Sequence, residues 1–169
     1  VAGITKAELL ERVSCPDSLV LASMDDDDLL LAPLPNHLFT RDTSCWIYNG
    51  VSINSMMMPA RQRETINYEA IYRWHPRFAN ASFPVWSEGT QAGPATVEGG
   101  DVQIIGNGAV LVGVSERTTA QGIERLASRL FATGKVNHVV AVEMKRTRAQ
   151  MHLDTVMTMV DAGTFTVYG

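Results

Sequence analysis

Hydrophobic and polar positions along this chain fall into short strand-length runs separated by turn residues, with three stretches at helical spacing. Thr5-Lys6-Ala7-Glu8 is a capping-box pattern, Thr followed three residues later by Glu. Leu9, Leu10 and Val13 then describe a short amphipathic helix. Leu19 to Ala22 and Leu29 to Ala32 are apolar runs of strand length. Between them Asp25-Asp26-Asp27-Asp28 puts four like charges in a row. These repel one another and lack the ligand spacing of a calcium loop, so a solvated turn is expected. Pro33-Leu34-Pro35-Asn36 is a rigid, extended approach to Phe39-Thr40-Arg41-Asp42, after which come two strand-length runs, Cys45–Tyr48 and Val51–Ile53. Those two runs flank Asn49-Gly50, a strong hairpin signal. Ile66, Ala70, Ile71 and Trp74 mark one face of a helix that Pro76 ends. Phe83 to Trp86 reads as a short strand and Ser87 to Pro94 as a loop.

The second half repeats this grammar. Val102–Ile105 and Ala109–Val114 flank Gly106-Asn107-Gly108. Ile123, Leu126, Ala127 and Leu130 make a helix face closed near Gly134. Val136 to Val142 is a strand. A third start follows: Met151 to Thr155 in an extended run through Val160, a turn at Asp161-Ala162-Gly163, and a strand at Phe165–Val167. The order is carboxylate, strand, Gly turn, strand, basic cluster, helix, strand, with a period of about sixty residues. The unit is ββαβ in type. One such unit has too little core alone, and several packed around an axis would bring their acidic positions, Asp42, Asp101 and Asp154, to the middle. Unrelated βα units in an open α/β sheet satisfy the same pattern. Gly106-x-Gly108 lies between two strands and lacks the strand-to-helix context of a phosphate loop.

The 169 residues are 46% hydrophobic and 19% charged, enough for one domain with a real core. Net charge is −4 and no segment masses basic residues, so nucleic acid is not an expected partner. No apolar run approaches a membrane span, and no secretory leader is evident. Two cysteines, Cys15 and Cys45, form no CxxC and no disulfide framework, which suits a cytoplasmic setting. His37, His75 and His138 have no metal-ligand spacing among themselves. Met56-Met57-Met58 reads as loop filling rather than a cofactor site.

Chemistry concentrates in a few positions. His152 and Asp154, two apart on what reads as a strand, would face the same way. Such a pair can combine a neutral-pH proton carrier with a fixed anion, or be purely structural. Asp42, Glu98, Asp101, Arg61 and Arg117 lie in comparable local settings. Several carboxylates, one histidine and separate arginines suit a substrate with a cation at one end and a carboxylate at the other. Free arginine fits: carboxylates can hold its planar guanidinium from two sides, and an arginine can grip its α-carboxylate.

Five blocks in order, Pro35-Asn36-His37-Leu38-Phe39-Thr40-Arg41-Asp42, Ala60-Arg61-Gln62-Arg63-Glu64-Thr65, Val97-Glu98-Gly99-Gly100-Asp101, Ser115-Glu116-Arg117-Thr118 and Met151-His152-Leu153-Asp154-Thr155-Val156, resemble the arginine deiminases. They cover the chain from about Leu31 to Val160. The resemblance implies the α/β propeller (pentein) fold of that guanidine-modifying superfamily, five ββαβ blades around a pseudo-fivefold axis. Roughly two to three blades would be present, so that 1–169 is a partial catalytic domain without its first and last blades. It implies hydrolysis of L-arginine to L-citrulline and ammonia without metal or organic cofactor. It also implies that Asp42 and Asp154 clamp the guanidinium and that Glu98 and His152 move the protons. Arg61 and Arg117 would hold the substrate carboxylate, while Asn36 and Phe39 line the pocket. Read from its own local setting and not from the resemblance, Asp101 is a supporting or turn-binding carboxylate.

These enzymes attack the guanidinium carbon with a cysteine near their C-terminus, forming an amidino thioether that water hydrolyses. No cysteine follows Asp154 here. Cys15 precedes the Asn36 block, and Cys45 falls in a core strand, so neither is expected to be the nucleophile. The fragment is therefore expected to be inactive alone. Competing readings are a hydrolase or amidinotransferase for another guanidine, a non-catalytic arginine-binding remnant, and metal-dependent hydrolysis through His152, Asp154 and Glu98. Incomplete blades leave strand edges that seek partners, so a homo-oligomer is among the assemblies allowed.

Overall fold

The computed structural model describes residues 3–12 and 23–168, apart from the side chain of Glu88. The expected strand at Leu19–Ala22, Val13 of the first helix face, and Cys15 lie outside the described residues. The chain divides into two compact units, Val1–Leu38 and Phe39–Gly169.

In the first unit, β1 (Ile4–Thr5) pairs antiparallel with β2 (Leu29–Leu31), and α1 spans Lys6–Arg12. The capping box forms as read: Glu8 Oε2 accepts the Thr5 N–H at 2.9 Å, and Thr5 Oγ1 accepts the Glu8 N–H at 3.2 Å. The acidic run is an exposed turn, closed by the Asp28 N–H donating to the Asp25 carbonyl at 3.0 Å.

The second unit carries the repeat. β3 (Ser44–Ile47) and β4 (Gly50–Ile53) form a hairpin. Helices α3 (Pro59–Gln62), α4 (Glu64–Trp74) and α5 (Pro76–Ala79) follow, and β5 (Val85–Glu88) returns parallel to β4. The next unit copies this order: β6 (Val102–Gly106), β7 (Ala109–Val114), α6 (Ala120–Ala132), then β8 (His138–Glu143) parallel to β7. β9 (Met157–Asp161) and β10 (Thr164–Val167) are the hairpin of a third. A short helical turn precedes each first strand and carries the acidic residue: α2 (Thr40–Thr43) with Asp42, Gly99–Asp101 with Asp101, Leu153–Thr155 with Asp154. Ile47, Trp86, Val102, Val110, Val112, Ile123, Leu126 and Leu130 form one core between the first two sheets and α6. No described helix is long and apolar enough to cross a membrane.

Three expectations need correction. The first hairpin turns at Tyr48-Asn49, with Tyr48 at φ 52°, and Gly50 is already the first residue of β4. A Cβ on Gly50 would meet the buried Trp86 ring at 2.4 Å, so glycine is required there for close approach. The second hairpin does turn at Asn107-Gly108, both with positive φ.

Helix α4 forms, but the face expected to be buried is outside: Ile66 is 52% exposed and Trp74 67%. The inward face is polar, with Glu64 and Thr65 fully buried and Tyr72 sharing a hydrogen bond with Ser44 Oγ at 2.8 Å. Finally, 151–155 is no strand. His152 is extended, and Leu153–Thr155 is a tight 3-10 turn closed by the Thr155 N–H and hydroxyl on the His152 carbonyl.

Candidate active site

Glu98 ends an extended segment whose preceding residue, Val97, donates its N–H to the Ser55 carbonyl. The Glu98 side chain is fully buried. Its Oε2 is 2.8 Å from His152 Nε2, and its Oε1 accepts the Met57 N–H at 3.2 Å. Gly100 lies against the imidazole, and a Cβ there would come within 2.6 Å of His152 Nδ1. Gly100→Ala is accordingly expected to displace the ring, read as loss of the His152–Glu98 contact in NMR spectra of a still-folded chain.

On its other side, His152 Nδ1 faces Asp42 Oδ1 at 3.7 Å. Burial works against the imidazolium, but the Glu98 hydrogen bond and the charges of Asp42, Glu98 and Asp101 outweigh it, so its pKa is raised. The stability this gives is fully present below the unfolded value, about 6.5, and is lost as pH rises through the higher folded value. His152→Gln is therefore expected to flatten the pH dependence of unfolding in that window, as checked by urea melts across neutral pH.

Asp42 sits in α2, half-buried, and its Oδ2 accepts from Arg61 Nη1 at 2.6 Å. Arg61 is itself buried and donates to both oxygens of Glu64 at 2.8–3.2 Å and to the Phe39 carbonyl at 3.2 Å. Its guanidinium is thus engaged by two carboxylates of the chain itself. Arg61, expected to hold a substrate carboxylate, has its donors turned to Asp42, Glu64 and the Phe39 carbonyl in this structure. Sequence alone gives Glu64 no role. The only local signal was its position three residues after Arg61, an ion-pair spacing on a helix.

Arg117 is equally buried but differently placed. Its closest anions are Glu98 Oε2 at 4.0 Å and Glu116 Oε1 at 3.9 Å, and its Nε has no hydrogen-bond partner. Its Nη2 reaches only the weak acceptor Met151 Sδ at 4.0 Å, and a buried guanidinium with an idle Nε is costly unless an anion completes it.

Asp154 is on the exposed side of its turn, where it lines an open depression with Arg41, Gln103, Ile104, Thr158 and Met159. Loss of water around its carboxyl raises its pKa, with His152 opposing the rise and Asp42 adding to it. Asp154 therefore neighbours the Asp42–His152–Glu98 cluster electrostatically without hydrogen-bonding into it. Phe39 is exposed, and Asn36, in the first unit, is exposed too.

Asp42, Glu98 and His152 bring one donor atom each within 4.8 Å of one another, a spacing a cation tolerates. Glu98 and His152, however, already share a hydrogen bond, and Asp42 is held by Arg61. Cys45 is buried beside Asn54. Burial pushes its thiol up to about 11 against the opposing Asn54 contact, the reverse of what a thiolate nucleophile needs.

Chemically, the cluster offers a paired carboxylate and imidazole for moving protons, a second carboxylate facing the imidazole, and an under-satisfied cation for an anionic group.

The profile of the arginine deiminases matches residues 2–169. Among solved structures, the chain is similar to the dimethylarginine dimethylaminohydrolase of Pseudomonas aeruginosa in complex with citrulline. The identity is 23% and the TM-score 0.63, covering 80% of this chain and 48% of that one. It is also similar to the N-terminal domain of ArgZ, a cyanobacterial arginine dihydrolase, bound to its substrate, at 19% identity and TM-score 0.64 over 81% and 46%. SxtG, an amidinotransferase of Microseira wollei, matches at 17% identity and TM-score 0.59, over 76% and 41%. The shared fold is the pentein propeller, here incomplete. The chain spans about half the length of these structures.

Proposed function

The chain belongs to the arginine deiminase family, and from that premise we propose that it supplies the proton-transfer and substrate-gripping half of an enzyme converting L-arginine and water to L-citrulline and ammonia. The observation that carries this is the buried Glu98–His152 pair, 2.8 Å apart, facing Asp42. Asp42 and Asp154 take the guanidinium, and Arg117 takes the α-carboxylate. Arg61 keeps Asp42 in place, and Phe39 belongs to the approach to the site.

In this reading a cysteine thiolate from outside the chain adds to the guanidinium carbon. The C–N bond to the leaving nitrogen breaks, and imidazolium His152 gives that nitrogen a proton, releasing ammonia. His152, now neutral, accepts a proton from water as the oxygen adds to the amidino carbon. The C–S bond breaks and citrulline leaves. Glu98 keeps the imidazole oriented and favours its charged form. The setting proposed is the cytoplasm, and the partner a small molecule.

The test is a colorimetric citrulline assay on the full gene product with L-arginine. Citrulline formation that survives a chelator supports the reading. Saturable arginine binding with no citrulline overturns it in favour of a non-catalytic binding protein. The amidinotransferase reading predicts instead that an added amine is required for turnover.

A further inference from the structure

Asp101 is fully buried, contacts no solvent, and lies at the junction of the three segments that carry Glu98, Arg117 and His152. Its Oδ1 accepts the Leu153 N–H at 2.9 Å. Its Oδ2 accepts from Ser115 Oγ at 2.7 Å and Thr118 Oγ1 at 2.6 Å. Both hydroxyls are already engaged as acceptors, and for Ser115 this fixes the direction of its bond to Asp101. Ser115 Oγ already accepts the N–H groups of Arg117 at 2.9 Å and Thr118 at 3.1 Å. Thr118 Oγ1 already accepts the N–H of Glu98 at 3.0 Å. With both lone pairs taken, the Ser115 hydroxyl has only its proton left for Asp101, and the ionised carboxylate, which can only accept, takes the Thr118 proton as well.

Three protein segments thus converge on one buried anion. The Glu98 backbone reaches it through Thr118, the Arg117 backbone through Ser115, and the residue after His152 directly. From this geometry we infer that Asp101 is the positioning residue of the site, the common acceptor that sets Glu98, Arg117 and His152 in one frame. An amide at this position would set its N–H against either the Ser115 hydroxyl or the Leu153 N–H, neither of which can accept it. The arrangement is built from protein groups alone. The inference rests on Glu98 and His152 being the working pair, as proposed above. Its readouts are spectroscopic, however, so a protein that made no citrulline would leave the test intact.

Asp101→Asn alone does not discriminate, because removing the charge shifts His152 directly. Thr118→Val is nearly isosteric, uncharged, and removes only the hydroxyl that joins Glu98 to Asp101. In the full chain, the His152 titration followed by NMR is expected to fall by about half a pH unit in Thr118→Val. In Thr118→Ser, which restores the hydroxyl, it should stay at the wild-type value. A His152 midpoint unmoved in folded Thr118→Val overturns the inference. Should Thr118→Val not fold, the unaltered chain still decides by hydrogen exchange. The amides of Glu98 and Leu153 are expected to exchange as slowly as those of β7, and exchange tenfold or more faster would overturn the inference.

Discussion

Replacing His152 with Ala is expected to lower citrulline formation by the full gene product by about 10²–10⁴-fold or more, with arginine binding still measurable. Both halves follow from the geometry. His152 is the one titratable group of the cluster whose ordinary range spans neutral pH, and its Nε2 sits 2.8 Å from Glu98 Oε2. That contact, with the charge of Asp42, favours the imidazolium needed when ammonia departs. No other described group in the cluster can both give and take that proton near neutral pH. Binding survives because the groups proposed to grip the substrate, Asp42, Asp154 and Arg117, are untouched. The buried Glu98 keeps Arg117 Nη1 at 4.0 Å as counter-charge, which limits the damage to the fold. The measurement is kcat with L-arginine, beside calorimetric titration of arginine into the inactive variant and a thermal melt. Near-wild-type kcat in His152→Ala would remove the histidine from the mechanism, and loss of binding together with turnover would recast it as a substrate ligand.

Much of this architecture was legible because it rests on local rules. The Thr5–Glu8 box, the Asn107-Gly108 turn and the spacing of Ile123, Leu126 and Leu130 each involve neighbours in sequence, and each forms as read. The ββαβ repeat was legible from the order of such signals. What failed turned on specific side-chain partners, near and far in sequence, that hydrophobic periodicity does not register. The apolar stripe on α4 suggested an inward face, yet Glu64 and Thr65 go inside, because Arg61 and the Asn54 carbonyl await them there. Thr155 and Val156 read as strand residues, but the Thr155 hydroxyl captures the His152 carbonyl and closes a turn. Asp101 could be placed only as a supporting carboxylate, since its partners are 14, 17 and 52 residues away. Arg61 and Arg117 looked equivalent in sequence. Only the positions of Glu64 and Asp42 separate a guanidinium already held by its own chain from one that is not.

That separation gives the second large effect. Arg117→Ala in the full gene product is expected to raise KM for L-arginine by roughly 10–150-fold, the loss of a charge-assisted hydrogen bond or pair. Agmatine, which has the same guanidinium but no carboxylate, should change little. The argument is one of unmet demand: Arg117 is more than nine-tenths buried, its Nε has no partner, and both nearby carboxylates stand about 4 Å off. A substrate carboxylate entering there would satisfy donors that the fold leaves idle, so the interaction favours the bound state specifically. Arg61→Ala should behave otherwise. It strips Asp42 and the fully buried Glu64 of their shared partner, so it should lower the melting temperature and impair both substrates alike, whatever their far end carries. Equal losses on arginine and agmatine in Arg117→Ala would move the carboxylate grip elsewhere. A selective loss of arginine in Arg61→Ala would mean that Arg61 leaves Asp42 when substrate arrives. Because the Arg61 donors are taken by carboxylates of the chain while Arg117 Nε has no partner, the pair of variants separates substrate recognition from support of the clamp in a single experiment.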